Sequence, residues 1–185
     1  MTKFDFIKTD FEGCYIIIPH PLEDYRGWFA EVYNRDLFSK AGINNIFVQD
    51  NHSFSPHKST LRGLYYQSNP HAQAKLVRCT RGQVLEVGVD LRKSSKTYGK
   101  YFSLKLSAQN RKILLLPKGF AHGFLTLEDD TEYQYKTDHP QHPPSEKCIA
   151  WDDPTLAINW GVTNPILSEK SASSPPFNPE ETYFK

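Results

Sequence analysis

Charged and polar side chains inside strand-like segments are the residues of this sequence best suited to chemistry, because the interior of a folded protein is otherwise apolar. Arginine and lysine bind anions, while histidine and tyrosine transfer protons or donate hydrogen bonds. Each residue taken alone also has a plain structural explanation, since a single Arg or Lys in a strand usually faces solvent. The candidates are Arg26, Glu31, Gln49, Asn51, Arg62, Lys75, His122 and Tyr135.

The histidines give no clear metal-binding pattern. His122 lies in PKGFAHGF, between two glycines and two phenylalanines, where a satisfied core histidine is the common explanation. His139 and His142 lie in the proline-rich segment DHPQHPP, where a solvated role and weak metal binding both stay open. No H-x-H with a following carboxylate occurs in any strand-like segment, so the sequence predicts no metal site.

Several ligand classes are excluded by motif and charge. The chain has no GxGxxG after a strand, no GxxxxGK[ST] and no GxSxG, which excludes dinucleotide folds, P-loops and hydrolase elbows. With 22 Lys+Arg against 21 Asp+Glu, the net charge is +1. This balance predicts neither nucleic-acid nor membrane partners, so local basic residues must hold any anionic ligand.

Targeting and cysteine patterns indicate a cytoplasmic protein. The opening MTKFDFIKTDFEGCY has no apolar stretch after a basic region, and about 18 apolar residues never run together. The 3 cysteines, Cys14, Cys79 and Cys148, are scattered and not in CxxC spacing. We therefore expect reduced and mostly buried thiols rather than disulfides.

Period-two alternation of apolar and polar residues predicts an all-β fold. In QVLEVGVDL, Val87 and Val89 share one face, while Glu86 and Gly88 lie on the other face, which is polar and small. Apolar runs that end at proline indicate fully buried strands. The strand-like segments are 14–19, 28–33, 46–51, 83–91, 102–106, 112–117 and 131–136.

Helix is scarce, and the length fits one domain. Residues 34–42 offer an Asn cap, a short amphipathic stretch and a terminal glycine, and a single turn is predicted near Asp153. At 185 residues the chain is expected to form a single jelly-roll double sheet, with a loop-like C-terminal tail from about residue 172. Barrels of this kind have a mouth wide enough for one small ligand.

Nine segments in the same order resemble the dTDP-4-dehydrorhamnose 3,5-epimerase family, from about residue 10 to residue 172. They are YRGWFAE, FVQDNHS, LRGLYYQ, QAKLVRCTRGQV, VDLRKSSKTYG, LPKGFAHGF, TEYQYK, WDDP and ILSEKS. The resemblance implies a cupin-type jelly roll that works as a homodimer without metal or organic cofactor. It also implies action on a nucleotide-linked 4-keto-6-deoxy sugar, most simply a dTDP sugar, in deoxysugar and polysaccharide biosynthesis.

The resemblance also implies roles for individual residues. Lys75 and His122 correspond to residues that flank the sugar and hydrogen-bond the developing O4 enolate, and Tyr135 corresponds to the proton donor. Glu146 and Lys170 match two further ligand-contacting positions. The positions implied to bind the nucleotide and its diphosphate are Arg26, Glu31, Gln49, Asp50, Asn51 and Arg62.

Two positions depart from the family motif at its general base. Where the family reads RGLHYQ or RGLHFQ, with the histidine as base, this chain has Tyr65; where the family has the aspartate of S-x-K-D, it has Ser171. A phenol with an ordinary pKa of about 10 is almost wholly protonated at pH 7, and about 4 kcal/mol of phenolate stabilisation would bring that pKa to 7. We expect Tyr65 and Tyr135 to divide the proton transfers.

Three functions stay open at this stage. The first is an epimerase acting at both C3 and C5 or at one carbon. The second is a sugar-nucleotide binding protein without epimerase activity, and the third is a ketoisomerase that uses the same enolate. DHPQH stands where the family tends to carry tyrosines, so a CDP or GDP sugar also stays open.

Overall fold

The computed structural model describes residues 2–185 and contains thirteen strands. Strands hold 42% of the residues and helices 7%, which confirms the predicted all-β class. In chain order they are β1 Phe4–Lys8, β2 Tyr15–Pro19, β3 Leu22–Asp24, β4 Gly27–Phe29, β5 Gln49–Ser55, β6 Leu61–Gln67, β7 Lys75–Arg81, β8 Gln83–Asp90, β9 Tyr101–Ser107, β10 Ile113–Leu116, β11 Phe120–Thr126, β12 Thr131–Thr137 and β13 Glu146–Cys148.

Two antiparallel sheets pack face to face as a cupin-type jelly roll. The first sheet has the order β1-β2-β10-β7-β12-β5, and the second has the order β13-β6-β11-β8-β9. Strands β3 and β4 form a separate hairpin. The non-consecutive neighbours mean that the chain crosses repeatedly between the sheets, which brings distant segments onto one interior.

Alternation along the strands divides the apolar residues among three clusters. Leu114 and Leu116 of β10 pack between the two sheets, whereas Ile113 and Leu115 pack on the outer face of the first sheet. The third cluster lies on the outer face of the second sheet. Both faces of β10 are therefore buried, as the apolar run 112–117 predicts.

The two predicted faces of β8 have different neighbours. Val87 and Val89 pack outward, beneath the C-terminal segment that contains Phe177 and Phe184. Glu86 faces the interior between the sheets and is fully buried. The polar face of this strand is thus the face that looks into the jelly roll.

Helices are short, as predicted. Helix α1 is Arg35–Lys40, and the side chain of its N-cap Asn34 accepts a hydrogen bond from Leu37 N at 3.1 Å. Helix α2 is Glu169–Ala172, and a single 3-10 turn covers Pro143–Ser145. The predicted turn near Asp153 forms with Ala157 N donating to Asp153 O at 2.9 Å.

Two predicted strands have other bounds than expected: one is shorter, and the other begins and ends later along the chain. Of segment 28–33 only the beginning is strand, because β4 ends at Phe29. Val32 and Tyr33 pack instead in the apolar cluster on the outer face of the first sheet. Strand β5 begins at Gln49 rather than at residue 46. Phe47 packs in the same outer cluster as Val32 and Tyr33, whereas Ile46 and Val48 are exposed.

The C-terminal segment lacks strands, as predicted, yet it covers the core. Phe177 and Phe184 are buried, and Ala150 N donates to Pro175 O at 2.7 Å. All three cysteines are free thiols, and Cys14 and Cys79 are buried. Within residues 2–185, neither short α-helix has the length and hydrophobicity to span a membrane.

Candidate active site

A cavity of about 410 Å³ opens between the two sheets. The first sheet contributes Lys75 and Tyr135, and the second contributes Tyr65 and His122. Predicted site residues therefore line both walls of one concave site. Those in the lining are Gln49, Asn51, Arg62, Tyr65, Lys75, His122, Tyr135 and Glu146.

Strand alternation explains why these side chains point inward. On β12, Tyr133 and Tyr135 line the cavity, whereas Gln134 and Lys136 between and beyond them face the other side of the sheet. Asn51 on β5 is the register partner of Tyr135. The period of two thus selects the site residues from each strand.

A close approach of β6 and β11 positions the second wall. A Cβ added to Gly63 would lie 2.5 Å from Gly123 Cα, so both strands need glycine at this crossing. The pairing shifts register between His122 and Phe124, as at a β-bulge. His122 and Tyr65 become register partners and reach the same cavity.

The floor of the cavity is a buried polar cluster of Lys75, Glu86, His122 and Tyr133. Glu86 accepts a hydrogen bond from the Tyr133 hydroxyl at 2.7 Å, and its other oxygen lies 2.9 Å from Nδ1 of His122. Lys75 contributes a primary amine in the same cavity. The cluster combines one fully buried acid with one amine, one imidazole and one phenol, none of them more than 8% exposed.

Burial changes the protonation behaviour of the floor. It lowers the pKa of Lys75 to about 8 and raises the pKa of Glu86 to about 8, because each charged form loses its hydration. Burial, together with the nearby Lys75 charge, holds the pKa of His122 well below its ordinary value. His122 is therefore a neutral imidazole at pH 7.

Tyr135 stands beside this cluster with its ring 6.3 Å from the His122 ring. Burial, and then the negative charge of Glu146, raise the pKa of Tyr135 above its ordinary value. The phenol is thus neutral at pH 7 and carries a proton that it can donate. That state suits a general acid.

The mouth of the cavity holds a rim group of Tyr65, Glu146, Lys170 and Ser171. The Tyr65 hydroxyl and Ser171 Oγ share a hydrogen bond of 2.6 Å, and Lys170 Nζ lies 5.3 Å from the centre of the Tyr65 ring. Lys170 also forms an ion pair with Glu146. Although burial opposes ionisation of Glu146, hydrogen bonds from Lys170 and Gln141 together hold the pKa of its carboxyl below the ordinary range.

Polar groups of β5 and β6 extend the site along one side. Asn51 Oδ1 accepts a hydrogen bond from Gln49 Nε2 at 2.9 Å. Asn51 Nδ2 is buried without a partner among residues 2–185, so it is a free donor. Arg62 is exposed at the mouth and donates to Ser55 Oγ and Phe54 O, each at 3.3 Å.

Three predicted binding residues lie away from the cavity, and a fourth, Lys170, does not line it but pairs with Glu146 at its mouth. Arg26 is on the exposed β3–β4 hairpin and forms an ion pair with Asp24. Glu31 is paired with Lys3 in the same N-terminal region. Asp50 is on the outward face of β5, where its carboxylate lies 2.6 Å from Lys136 Nζ.

The loop histidines contact one another, the main chain and the side chain of Ser145. His71 and His142 stack with ring centres 3.7 Å apart, and His71 Nδ1 lies 3.4 Å from His139 Nε2. His139 Nδ1 contacts Pro140 O, and His142 Nδ1 contacts Ser145 Oγ. In the described range 2–185, no group of three or more His, Cys, Asp or Glu has an arrangement that fits a metal ion.

Sequence reasoning missed Glu86 and Tyr133 as members of the site. Glu86 was visible as a carboxylate on the small, polar face of a strand, but the pattern did not show that this face is the interior. Tyr133 shares its strand face with Tyr135, but alternation alone does not mark it as a site residue. Their link to His122 depends on contacts across three strands, which spacing along one strand does not reveal.

Together these features define a small-molecule site equipped for proton transfer. Two tyrosines come from opposite sheets, and an amine and an imidazole lie at the floor between them. This arrangement can present a base and an acid to opposite faces of one ligand and donors to an oxygen at its centre.

Comparisons with known proteins agree with this class. The family model for dTDP-4-dehydrorhamnose 3,5-epimerase matches residues 8–179. The Shigella flexneri protein of that name is 46% identical over 172 residues, which is 92% of this chain and 94% of the relative.

Solved structures extend the likeness to the fold. The Bacillus anthracis dTDP-4-dehydrorhamnose 3,5-epimerase with TDP and PPi bound has a TM-score of 0.92 at 42% identity, covering 94% of this chain and 99% of that one. The Legionella pneumophila dTDP-6-deoxy-D-glucose-3,5-epimerase in complex with dTDP-4-keto-L-rhamnose has a TM-score of 0.89 at 39% identity, covering 94% and 92%. The chain belongs to the dTDP-4-dehydrorhamnose 3,5-epimerase family.

Proposed function

We propose that this protein epimerises a dTDP-linked 4-keto-6-deoxy sugar at C3 and C5 through enolate intermediates. The observation that carries the proposal is the placement of Tyr65 and Tyr135 on opposite walls of one cavity, with Lys75 and His122 at its floor. The names of the relatives favour this reaction over sugar-nucleotide binding alone and over ketoisomerisation.

The chemistry follows from the C4 ketone. The ketone acidifies the hydrogens on C3 and C5, so a base removes one proton and the electron pair moves to O4 as an enolate. A cation or hydrogen-bond donor beside O4 stabilises that charge. An acid on the opposite face then returns a proton to carbon, which inverts the centre.

In this scheme Tyr65 removes the proton and Tyr135 supplies the new one. Tyr65 comes from β6 of the second sheet and Tyr135 from β12 of the first, so a sugar between the sheets presents a different face to each. Lys75 and His122 lie where they can contact O4. The ammonium of Lys75 has no hydrogen-bond partner among residues 2–185, which leaves its donors for the ligand.

The rim group supports Tyr65 as the base in place of the histidine of the family motif. Ser168 Oγ donates to Ser171 Oγ at 3.2 Å, so the Ser171 hydroxyl proton is free to point at the Tyr65 oxygen. Lys170 adds a positive charge near the ring. The Tyr65 side chain therefore has a hydroxyl partner at its oxygen and a cation beside its ring.

The nucleotide and its diphosphate fit the polar side of the cavity. Arg62 at the mouth offers forked N–H donors suited to phosphate, and Asn51 Nδ2 offers a free amide donor. Gln49 positions Asn51, while Glu146 and Lys170 border the ligand from β13 and α2. Asp50 acts indirectly, because its ion pair with Lys136 joins β5 to β12 beside Asn51 and Tyr135.

We also propose a homodimer in which Arg26 and Glu31 reach the cavity of the second copy. Neither residue lines the cavity of its own chain. The hairpin that carries Arg26 exposes Leu22, Tyr25, Trp28 and Phe29, an apolar surface of the kind that a protein partner covers. Mixing R26A with Y135F protein, each defective in inversion alone, should restore inversion if the copies share sites.

Residues 1–185 are proposed to act as one jelly-roll domain. The segment from about residue 172 covers the outer face of the second sheet through Phe177 and Phe184. It therefore belongs to the same folding unit as the strands that carry the site.

The test is incubation of the purified protein with dTDP-4-keto-6-deoxyglucose in D2O, followed by NMR and mass spectrometry. Deuterium at C3 and C5, with inversion at both carbons, is the expected result. Deuterium at one carbon would restrict the activity to that carbon. Binding without exchange would contradict the proposal in favour of a binding protein, and a ketone moved to C3 would identify a ketoisomerase.

A second experiment tests whether Tyr65 works as the base. If Tyr65 is inert, the double variant Y65H/S171D, which installs the residues of the family motif, should create or raise exchange well above the wild-type rate. The proposal predicts that exchange in this variant is not raised above the wild-type rate by the roughly 10²- to 10⁴-fold that gaining a general base supplies.

A further inference from the structure

Glu86 is a fully buried acid for which the reaction scheme has no role. Its two oxygens are both engaged: Oε2 accepts from the Tyr133 hydroxyl at 2.7 Å, and Oε1 lies 2.9 Å from His122 Nδ1. Since Nδ1 faces Glu86, the other ring nitrogen of His122, Nε2, is the one available to the cavity. The state of the Glu86–His122 contact therefore decides what His122 presents to a ligand.

Two hydrogen-bonding patterns fit the 2.9 Å contact. If Glu86 is ionised, a neutral His122 must donate from Nδ1, and Nε2 then carries only a lone pair. If Glu86 holds a proton on Oε1, it donates to Nδ1, and the His122 proton is on Nε2. Only the second pattern gives the cavity an N–H donor for an enolate oxygen.

The surroundings favour the protonated acid. No lysine or arginine nitrogen lies within ion-pair distance of Glu86 among the described residues, so an ionised carboxylate would be buried without a contacting cation. Burial also raises the pKa of Glu86 to about 8. The Tyr133 hydroxyl satisfies the oxygen that carries no proton.

We propose that Glu86 is a positioning residue that, as a neutral acid, donates from Oε1 to His122 Nδ1 and so fixes the tautomer whose Nε2–H faces the substrate oxygen. This inference rests on the proposed function, because that function supplies the enolate oxygen. The neutral pair leaves Lys75 as the positive charge at the floor of the cavity. His122 thus acts as a hydrogen-bond donor and not as a base.

The groups that face Glu86 predict how this tautomer depends on pH. Lys75 on β7, His122 on β11 and Tyr133 on β12 surround it, and Tyr135 lies beyond Tyr133 with ring centres 6.1 Å apart. As the pH rises through about 8, Glu86 loses its proton and His122 must move its own proton from Nε2 to Nδ1. Titration of Lys75 in the same range changes the nearby charge without exchanging the two ring nitrogens.

The experiment is ¹⁵N NMR of the histidine-labelled full chain without ligand, titrated from pH 6 to pH 10, with the His122 signals assigned from their absence in H122N. We expect a protonated Nε2 and an unprotonated Nδ1 at pH 7, and the reverse above a transition near pH 8. A protonated Nδ1 at pH 7 would overturn the inference. Because no substrate is present, this result is independent of whether epimerisation occurs.

Two variants make the assignment specific to Glu86. In E86Q the amide has the same shape, donates to Nδ1 and does not titrate, so the Nε2–H tautomer should persist through pH 10. In Y133F the carboxylate loses a donor, so the tautomer exchange should move to higher pH. A transition in E86Q at the wild-type pH would contradict the role given to Glu86.

Discussion

The ionisable groups at the floor of the cavity and those at its mouth have different surroundings. At the floor, Lys75 and Glu86 are buried without contacting each other as an ion pair, and both have shifted pKa values. At the mouth, Lys170 and Glu146 form a direct ion pair beside the hydrogen-bonded Tyr65 and Ser171. The floor is therefore tuned by loss of water, and the rim by contacts between side chains.

The two regions should therefore tolerate different substitutions. The Lys170–Glu146 ion pair at the rim is partly solvated, so replacement of one partner costs little beyond that contact. At the floor each group sets the protonation state of the next, so a single replacement alters several.

The largest effect is expected for Y135F, which changes the wall of the first sheet and leaves Tyr65 on the opposite wall intact. Loss of the proton donor should reduce inversion by about 10³-fold, the range for a general acid. Deuterium exchange should continue, because Tyr65 can return a solvent deuteron to the face it deprotonates. Y15F is the matched control, since Tyr15 packs on the outer cluster of the first sheet. Inversion at the wild-type rate in Y135F would remove Tyr135 from its role.

The second effect concerns the stability of the floor. Burial raises the pKa of Glu86 from 4.5 to about 8, so between these values the folded state holds a proton that the unfolded state has released. The contribution of Glu86 to the free energy of unfolding of the wild type therefore falls as the pH rises from 4.5 to 8. By pH 7 the loss is about 3 kcal/mol.

Denaturant unfolding of E86Q and the wild type at several pH values measures this contribution. The stability gain of E86Q should be near zero at pH 4.5 and reach about 3 kcal/mol at pH 7. The same substitution at the exposed Glu12 serves as the control. A difference that is independent of pH would mean that Glu86 is ionised in the folded protein.

The smallest effect is expected at the rim, for S171A. Removal of the hydroxyl that bonds Tyr65 should lower the rate of exchange by about tenfold, equivalent to one hydrogen bond of about 1.4 kcal/mol. S173A is the matched control, because Ser173 Oγ bonds Glu169 O at the end of the same short helix. A loss in S171A as large as that in Y135F would show that the rim is as tightly coupled as the floor.

Much of the fold could be predicted from sequence, because its signals are local. The apolar runs at 14–19 and 112–117 and the Asn34 cap each depend on neighbours within a few residues. Segment 46–51 was harder, because Phe47 joins an outer cluster whose other members come from distant segments. Composition along one strand does not report which sheet face another segment will cover.

The site was partly predictable for the same reason. Lys75, His122 and Tyr135 stand out as polar residues in strands, and one cavity contains them all. Glu86 was not singled out, because its importance lies in contacts with β11 and β12. Arg26 and Glu31 fall outside the cavity of their own chain, a result that no pattern within one chain could predict.

The most direct test of the central claim is deuterium exchange in Y65F, measured with dTDP-4-keto-6-deoxyglucose in D2O beside a titration of substrate binding. We expect binding to persist while deuterium incorporation at C3 and C5 is abolished together with inversion, unlike the exchange without inversion expected of Y135F. Exchange in Y65F at the wild-type rate would rule out Tyr65 as the base, because another residue would then remove the proton.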